Sequence, residues 1–157
     1  MESLRPRVVA EVSISAIKHN YKEIRKHIPK YTEMMAIIKA DAYGHGALKI
    51  ASILQQEGVN RFAVAIAKEG EELRKNGITS PILVLGYTPR ADIKTLIQND
   101  LTQTVFSYEM AKYISDEAVK LNKTVNIHIK VDTGMGRIGF LSCPQSIEEV
   151  LKISKLP

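Results

Sequence analysis

The 157-residue chain has 45% apolar and 25% charged residues, the balance of a globular domain, and is long enough to bury roughly 70% of its unfolded surface in one domain. Its net charge of +5 comes from Lys and Arg mixed with Glu and Asp, as in Lys68-Glu69-Gly70-Glu71-Glu72-Leu73-Arg74-Lys75; no basic stripe alternates with aromatics, which excludes a nucleic-acid binder. No apolar run approaches the ~20 residues of a membrane span, the four histidines lack the close pairing of metal sites, and a lone Cys143 excludes an internal disulfide and fits a reducing cytosol.

In chain order, residues 7–14 alternate enough to predict a leading strand. Ser15 then suits the cap of a helix that carries Ile17, Tyr21, Ile24 and Ile28 on one face and stops before Pro29. Residues 34–39 form an apolar strand that ends on Lys39. A glycine-flanked turn over 43–46 opens a helix near Ala47, which closes at Gly58. Strands follow at 61–66, 81–86, 102–106 and 124–131. Helices are predicted from the charged stretch that ends at Gly77, then at 90–99, 108–121 and 144–154.

Strands and helices thus alternate every 20 to 25 residues or so, the pattern of parallel strands joined by helical crossovers. The fold class is α/β, with the (βα) repeats of a TIM-type barrel. After the leading strand there are five units, and a closed barrel needs eight. The expectation is therefore an incomplete barrel with two open sheet edges. A short protein with an open doubly wound sheet is the alternative.

A lysine at the end of a parallel strand points into the region where such folds hold ligands. Apolar surroundings disfavour the ammonium form and turn the amine into a nucleophile. On the residues alone, a lysine that ends its strand by reaching water is the better-fitting reading.

The segment Lys39-Ala40-Asp41-Ala42-Tyr43-Gly44-His45-Gly46 resembles the cofactor-attachment motif of bacterial alanine racemases. A second segment, Lys130-Val131-Asp132-Thr133-Gly134-Met135-Gly136-Arg137-Ile138-Gly139, matches that family at the family's spacing. The resemblance runs from about Val8 to the end of the chain and covers only the first part of the family pattern. It implies that residues 1–157 are the amino-terminal portion of a pyridoxal 5'-phosphate barrel, with the carboxy-terminal β domain absent.

The roles that follow are those the resemblance implies. Lys39 carries pyridoxal 5'-phosphate as a Schiff base and, once freed, acts as the base on the face presented by the D enantiomer. Tyr43 donates to the cofactor phosphate, and Leu83 and Leu85 line its ring. Arg137 meets the substrate carboxylate and the cofactor's oxygen side. Lys130 matches a lysine often carbamylated in the family; an unmodified Lys130 held near Asp132 is the alternative. Asp132 is equally suited to hold the turn by accepting backbone amides. Gly44 and Gly46 allow backbone angles closed to other residues, while His45 and His128 receive only turn and packing roles.

The resemblance further implies a cytoplasmic homodimer acting on alanine, with serine or a basic amino acid as alternatives. No metal, nucleic acid or membrane partner is expected. The family's second acid/base, a tyrosine from the partner's carboxy-terminal domain, maps to no residue here, so the chain alone is expected to be inactive. A non-catalytic pyridoxal-phosphate carrier or regulatory barrel is the reading of a different class. The Tyr-Gly-His-Gly and Met-Gly-Arg segments favour the racemase.

Overall fold

A computed structural model describes residues 8–157. Five strands, β1 (Met35–Ile37), β2 (Arg61–Val64), β3 (Ile82–Val84), β4 (Thr102–Val105) and β5 (Ile127–Ile129), pair in parallel in the order β1-β2-β3-β4-β5. Every strand lies beside its neighbour in sequence. A doubly wound sheet reverses its strand order at a switch point, and this sheet has no such reversal. The architecture is that of an incomplete barrel, with β1 and β5 at its two edges.

The helices are α1 (Ile14–Lys26), α2 (Lys39–Gly44), α3 (Ala47–Gln56), α4 (Ala67–Lys75), α5 (Ile93–Gln98), α6 (Tyr108–Lys120) and α7 (Pro144–Ile153). Their apolar stripes meet one face of the sheet. Ile38, Phe62, Val64, Ile82, Val84 and Val105 from that face join Ile50, Leu73, Ile93, Leu96, Met110 and Ile114 in the main core. Side chains alternate across a strand, so the strand pairings define the other, inner face. Ile37, Ala63, Leu83 and Thr102 lie on one level of it. Thr104 and His128 are paired one level further on. Ile37 is 40% exposed on this inner face.

Several boundaries depart from the sequence reading. In the expected leading strand, Arg7 lies outside the described residues, and residues 8–13 form no strand. Val8 and Val9 are 88% and 63% exposed; a strand needs a neighbour for its backbone groups, and none among the described residues pairs with this segment. Ser13, not Ser15, caps α1 by accepting the Ala16 amide at 3.3 Å. Ile24 is exposed rather than part of the buried stripe. The helix expected at 90–99 begins as a 3₁₀ turn over Arg90–Asp92 before α5. The first strand stops at Ile37, two residues before Lys39.

The largest departure follows that lysine. Ala40, Asp41, Ala42 and Tyr43 all have φ of 51 to 56° and ψ of 36 to 51°, so α2 is a turn of left-handed helix. A left-handed residue other than glycine costs roughly 1–2 kcal/mol, which puts about 4–8 kcal/mol of unfavourable backbone energy into these four positions. Such a segment persists only where its surroundings fix it.

No helix among the described residues is long and apolar enough to cross a membrane. Among the same residues, no cluster of three His, Cys, Asp or Glu side chains is arranged to hold a metal ion.

Candidate active site

At the carboxyl ends of the strands, the inner face encloses a hollow of about 400 Å³ lined by Lys39, Leu83, Leu85, His128, Lys130 and Arg137, among others. The size lies within the range of small-molecule sites. Lys39 follows one edge strand and Lys130 the other, so the hollow draws on the full width of the sheet. The structure brings five of the six expected site residues to this one place. The sixth, Tyr43, is 62% exposed, and the Lys39 Nζ lies 5.9 Å from its ring centroid.

The left-handed turn fixes that relation. The Ala42 amide donates to the Ile38 carbonyl at 3.0 Å, and Ala42 is buried. At the exit of the turn, the Asp41 Oδ1 accepts the Ala47 amide at 2.7 Å, and the Gly46 amide donates to the Asp41 carbonyl at 2.9 Å. Gly44 and Gly46 have φ of 85° and 87°, as their place in the motif suggests. His45 pairs its Nδ1 with the Ala42 carbonyl at 2.8 Å, a local turn contact. At the entrance, Glu69 of α4 accepts the Ala40 amide at 2.7 Å.

The opposite wall is the glycine-rich loop after β5. Asp132 Oδ1 accepts the amides of Gly134 at 2.9 Å and Gly136 at 3.1 Å. These bonds, Gly136 first, hold the Asp132 carboxyl below its ordinary range, with Lys130 adding a smaller attraction. The Asp132 amide donates to the Phe140 carbonyl, and the Phe140 amide to the Lys130 carbonyl, both at 2.8 Å. Arg137 is carried at the tip, exposed. Asp132 therefore plays the turn-holding role, and it makes no ion pair with Lys130.

Two polar residues beyond those expected also line the hollow. His128, assigned to packing from sequence, is exposed and lines it. Thr104, its partner in the β4–β5 register, is 4% exposed, and its Oγ1 has no hydrogen-bond partner. A buried hydroxyl without a partner is uncommon. Three cationic side chains, Lys39, Lys130 and Arg137, surround the hollow, and no acidic side chain lines it among the described residues. Cations, apolar Leu83 and Leu85, and a free hydroxyl fit an anionic group carried on a flat aromatic ring, the chemistry of pyridoxal 5'-phosphate.

Comparison with known proteins bears on the family of the chain. The sequence model of the family described as "Alanine racemase, N-terminal domain" matches residues 12–157. The alanine racemase of Clostridium tetani is 53% identical over 154 residues, which are 98% of this chain and 39% of that protein. The solved alanine racemase of Clostridium difficile 630, in complex with cycloserine, superposes with a TM-score of 0.89 at 42% identity, over 91% of this chain and 39% of that one. The histidine racemase of Leuconostoc mesenteroides subsp. sake superposes with a TM-score of 0.83 at 31% identity, over 91% and 38%. The chain spans about two fifths of the length of these relatives. With the open five-strand barrel and the two motifs that meet at its hollow, these matches show that the chain belongs to the alanine racemase family, through that family's N-terminal domain.

Proposed function

We propose that the chain is the lysine-bearing portion of a pyridoxal-phosphate-dependent racemase that interconverts L- and D-alanine. The observation that carries this reading is the meeting of Lys39 with Lys130 and Arg137 around one hollow free of acidic side chains. An amino acid's α proton is too weakly acidic for an ordinary side chain to remove. Pyridoxal phosphate, when bound, supplies the electron sink that makes its removal feasible.

The residues divide the remaining work. Lys39 holds the cofactor through its ε-amine and takes or returns the α proton on one face of the substrate. Tyr43 donates its hydroxyl to the phosphate, and Leu83 and Leu85 pack against the ring. Arg137 presents paired donors in a fixed plane to the substrate carboxylate. Carbamylation of Lys130 turns a cation into an anion that pairs with Arg137 and orients it. The proton on the opposite face is handled by a group outside this chain, and in the whole protein that group is supplied across a homodimer. Residues 1–157 alone therefore bind the cofactor without racemising alanine.

The fold likeness to a histidine racemase supports a second reading, in which the substrate is another amino acid. The relatives named above are racemases, which favours an enzyme over a non-catalytic carrier.

Titration with pyridoxal 5'-phosphate, read by visible absorbance, then borohydride reduction and peptide mass mapping, tests the proposal. A shifted band with the label on Lys39 is expected. No band, or a label spread over many lysines, overturns the assignment of Lys39 in this chain.

A further inference from the structure

We infer that Glu69 is a positioning residue for Lys39, an inference that rests on the role proposed for that lysine. Glu69 stands at the third position of α4, where one carboxylate oxygen commonly caps the helix start. Its Oε2 does so, accepting the amides of Ala65 at 2.6 Å and Ile66 at 3.2 Å. Capping α4 needs nothing more.

The second oxygen, Oε1, reaches instead to the Ala40 amide, 29 residues earlier in the chain, at 2.7 Å. That N–H lies in the same rigid peptide plane as the Lys39 carbonyl. Holding the plane fixes Lys39's ψ, and with it the direction in which the chain leaves the lysine. One carboxylate thus joins the loop after β1 to the loop after β2. It anchors the entrance of a left-handed turn whose exit is held separately by Asp41. Glu69 does not line the hollow and is not placed to touch a ligand there. It acts through the backbone of Lys39.

The chemistry singles out one substitution. Glutamine has the shape of glutamate but offers a single acceptor oxygen. In Glu69→Gln, the orientation that keeps more bonds leaves the single oxygen on the Ala65–Ile66 pair and turns the side-chain NH₂ toward the Ala40 N–H, donor against donor. Glu69→Asp, one methylene shorter, keeps two acceptors but cannot span both loops; it serves if the glutamine variant fails to fold.

Two readouts on the 157-residue chain test the inference. In the first, amide hydrogen exchange at Ala40 in Glu69→Gln rises by about tenfold, the scale of one lost hydrogen bond, and the backbone chemical shifts of Ala40–Tyr43 move. Unchanged exchange and shifts at these residues overturn the clamp, whether or not a cofactor binds. In the second, the fraction of borohydride-fixed pyridoxal phosphate on Lys39 falls well below that of a core variant of equal thermal stability, such as Ile97→Val. Equal labelling in the two variants overturns the positioning role and leaves Glu69 a helix cap. Absence of Lys39 labelling in the unsubstituted chain is a separate result: it removes the cofactor reading while the exchange data still judge the clamp.

Discussion

Replacing Gly139 with alanine tests how the Arg137 loop is closed. Gly139 has φ of 137°, where an L side chain costs of order 1–3 kcal/mol. A Cβ there would stand 2.5 Å from the Asp132 nitrogen and 2.9 Å from the Val131 carbonyl carbon. Both are backbone atoms, so no rotamer change relieves the contact. The Asp132 nitrogen is also the donor to Phe140, in one of the two 2.8 Å bonds that close the loop. Losing both adds about 2 kcal/mol at roughly 1 kcal/mol each, for a total near 3–5 kcal/mol. If the whole domain senses that loss, Tm falls by roughly 6 °C or more, at 2–4 °C per kcal/mol for a chain of this size. Differential scanning fluorimetry reads the fall, and hydrogen exchange at Asp132 and Phe140 reports the loop itself. A Tm within about 2 °C of the unsubstituted chain, with both amides still protected, would refute the steric argument.

Ala40→Gly should do the opposite. It removes a left-handed cost of about 1–2 kcal/mol against an entropic penalty of about 0.5–1 kcal/mol, so a net gain near 0.5–1 kcal/mol is expected in urea unfolding; a loss would show that the methyl contributes contacts that outweigh the strain. Asp132 gives a pH prediction. Its folded-state carboxyl lies below the ordinary value, so its contribution is complete above the usual carboxylate range and is lost as pH falls through the lowered value. Exchange at Gly134 and Gly136 should therefore rise in acid beyond its intrinsic pH dependence, and Asp132→Asn should abolish that excess; an excess that survives in the variant would place the titration elsewhere. Two unpaired edge strands and a partly exposed inner face predict concentration-dependent self-association, which a single monomeric species in sedimentation at high concentration would contradict.

The alternation of strands and helices was legible because each buried strand is a short apolar run closed by a turn, as in residues 61–66 and 81–86. Periodicity misled at the amino terminus. Val8, Ala10, Val12 and Ile14 alternate with Glu11 and Ser13, yet Val8 and Val12 are exposed, since a strand exists only where a neighbour takes its hydrogen bonds. The left-handed turn was illegible for a different reason. Ala-Asp-Ala-Tyr has no local preference for positive φ, and part of what holds it there is Glu69, a side chain remote in sequence. The site residues Lys39 and Arg137 were read from motifs. Thr104 and His128 were not, because their shared face depends on a register between two strands that no local pattern contains.

The open sheet also makes the hollow a gauge of curvature. Four strand spacings of ~4.8 Å would put β1 and β5 about 19 Å apart if the sheet were flat. Residues from both margins nevertheless border one space of about 400 Å³. The sheet must therefore be rolled, and Lys39 and Lys130 ride on its margins like the jaws of a caliper. Flattening the roll by a few degrees per strand would part the jaws while every helix stayed intact. The gap between these two amines is therefore set by the curvature of the whole sheet and by neither edge strand alone.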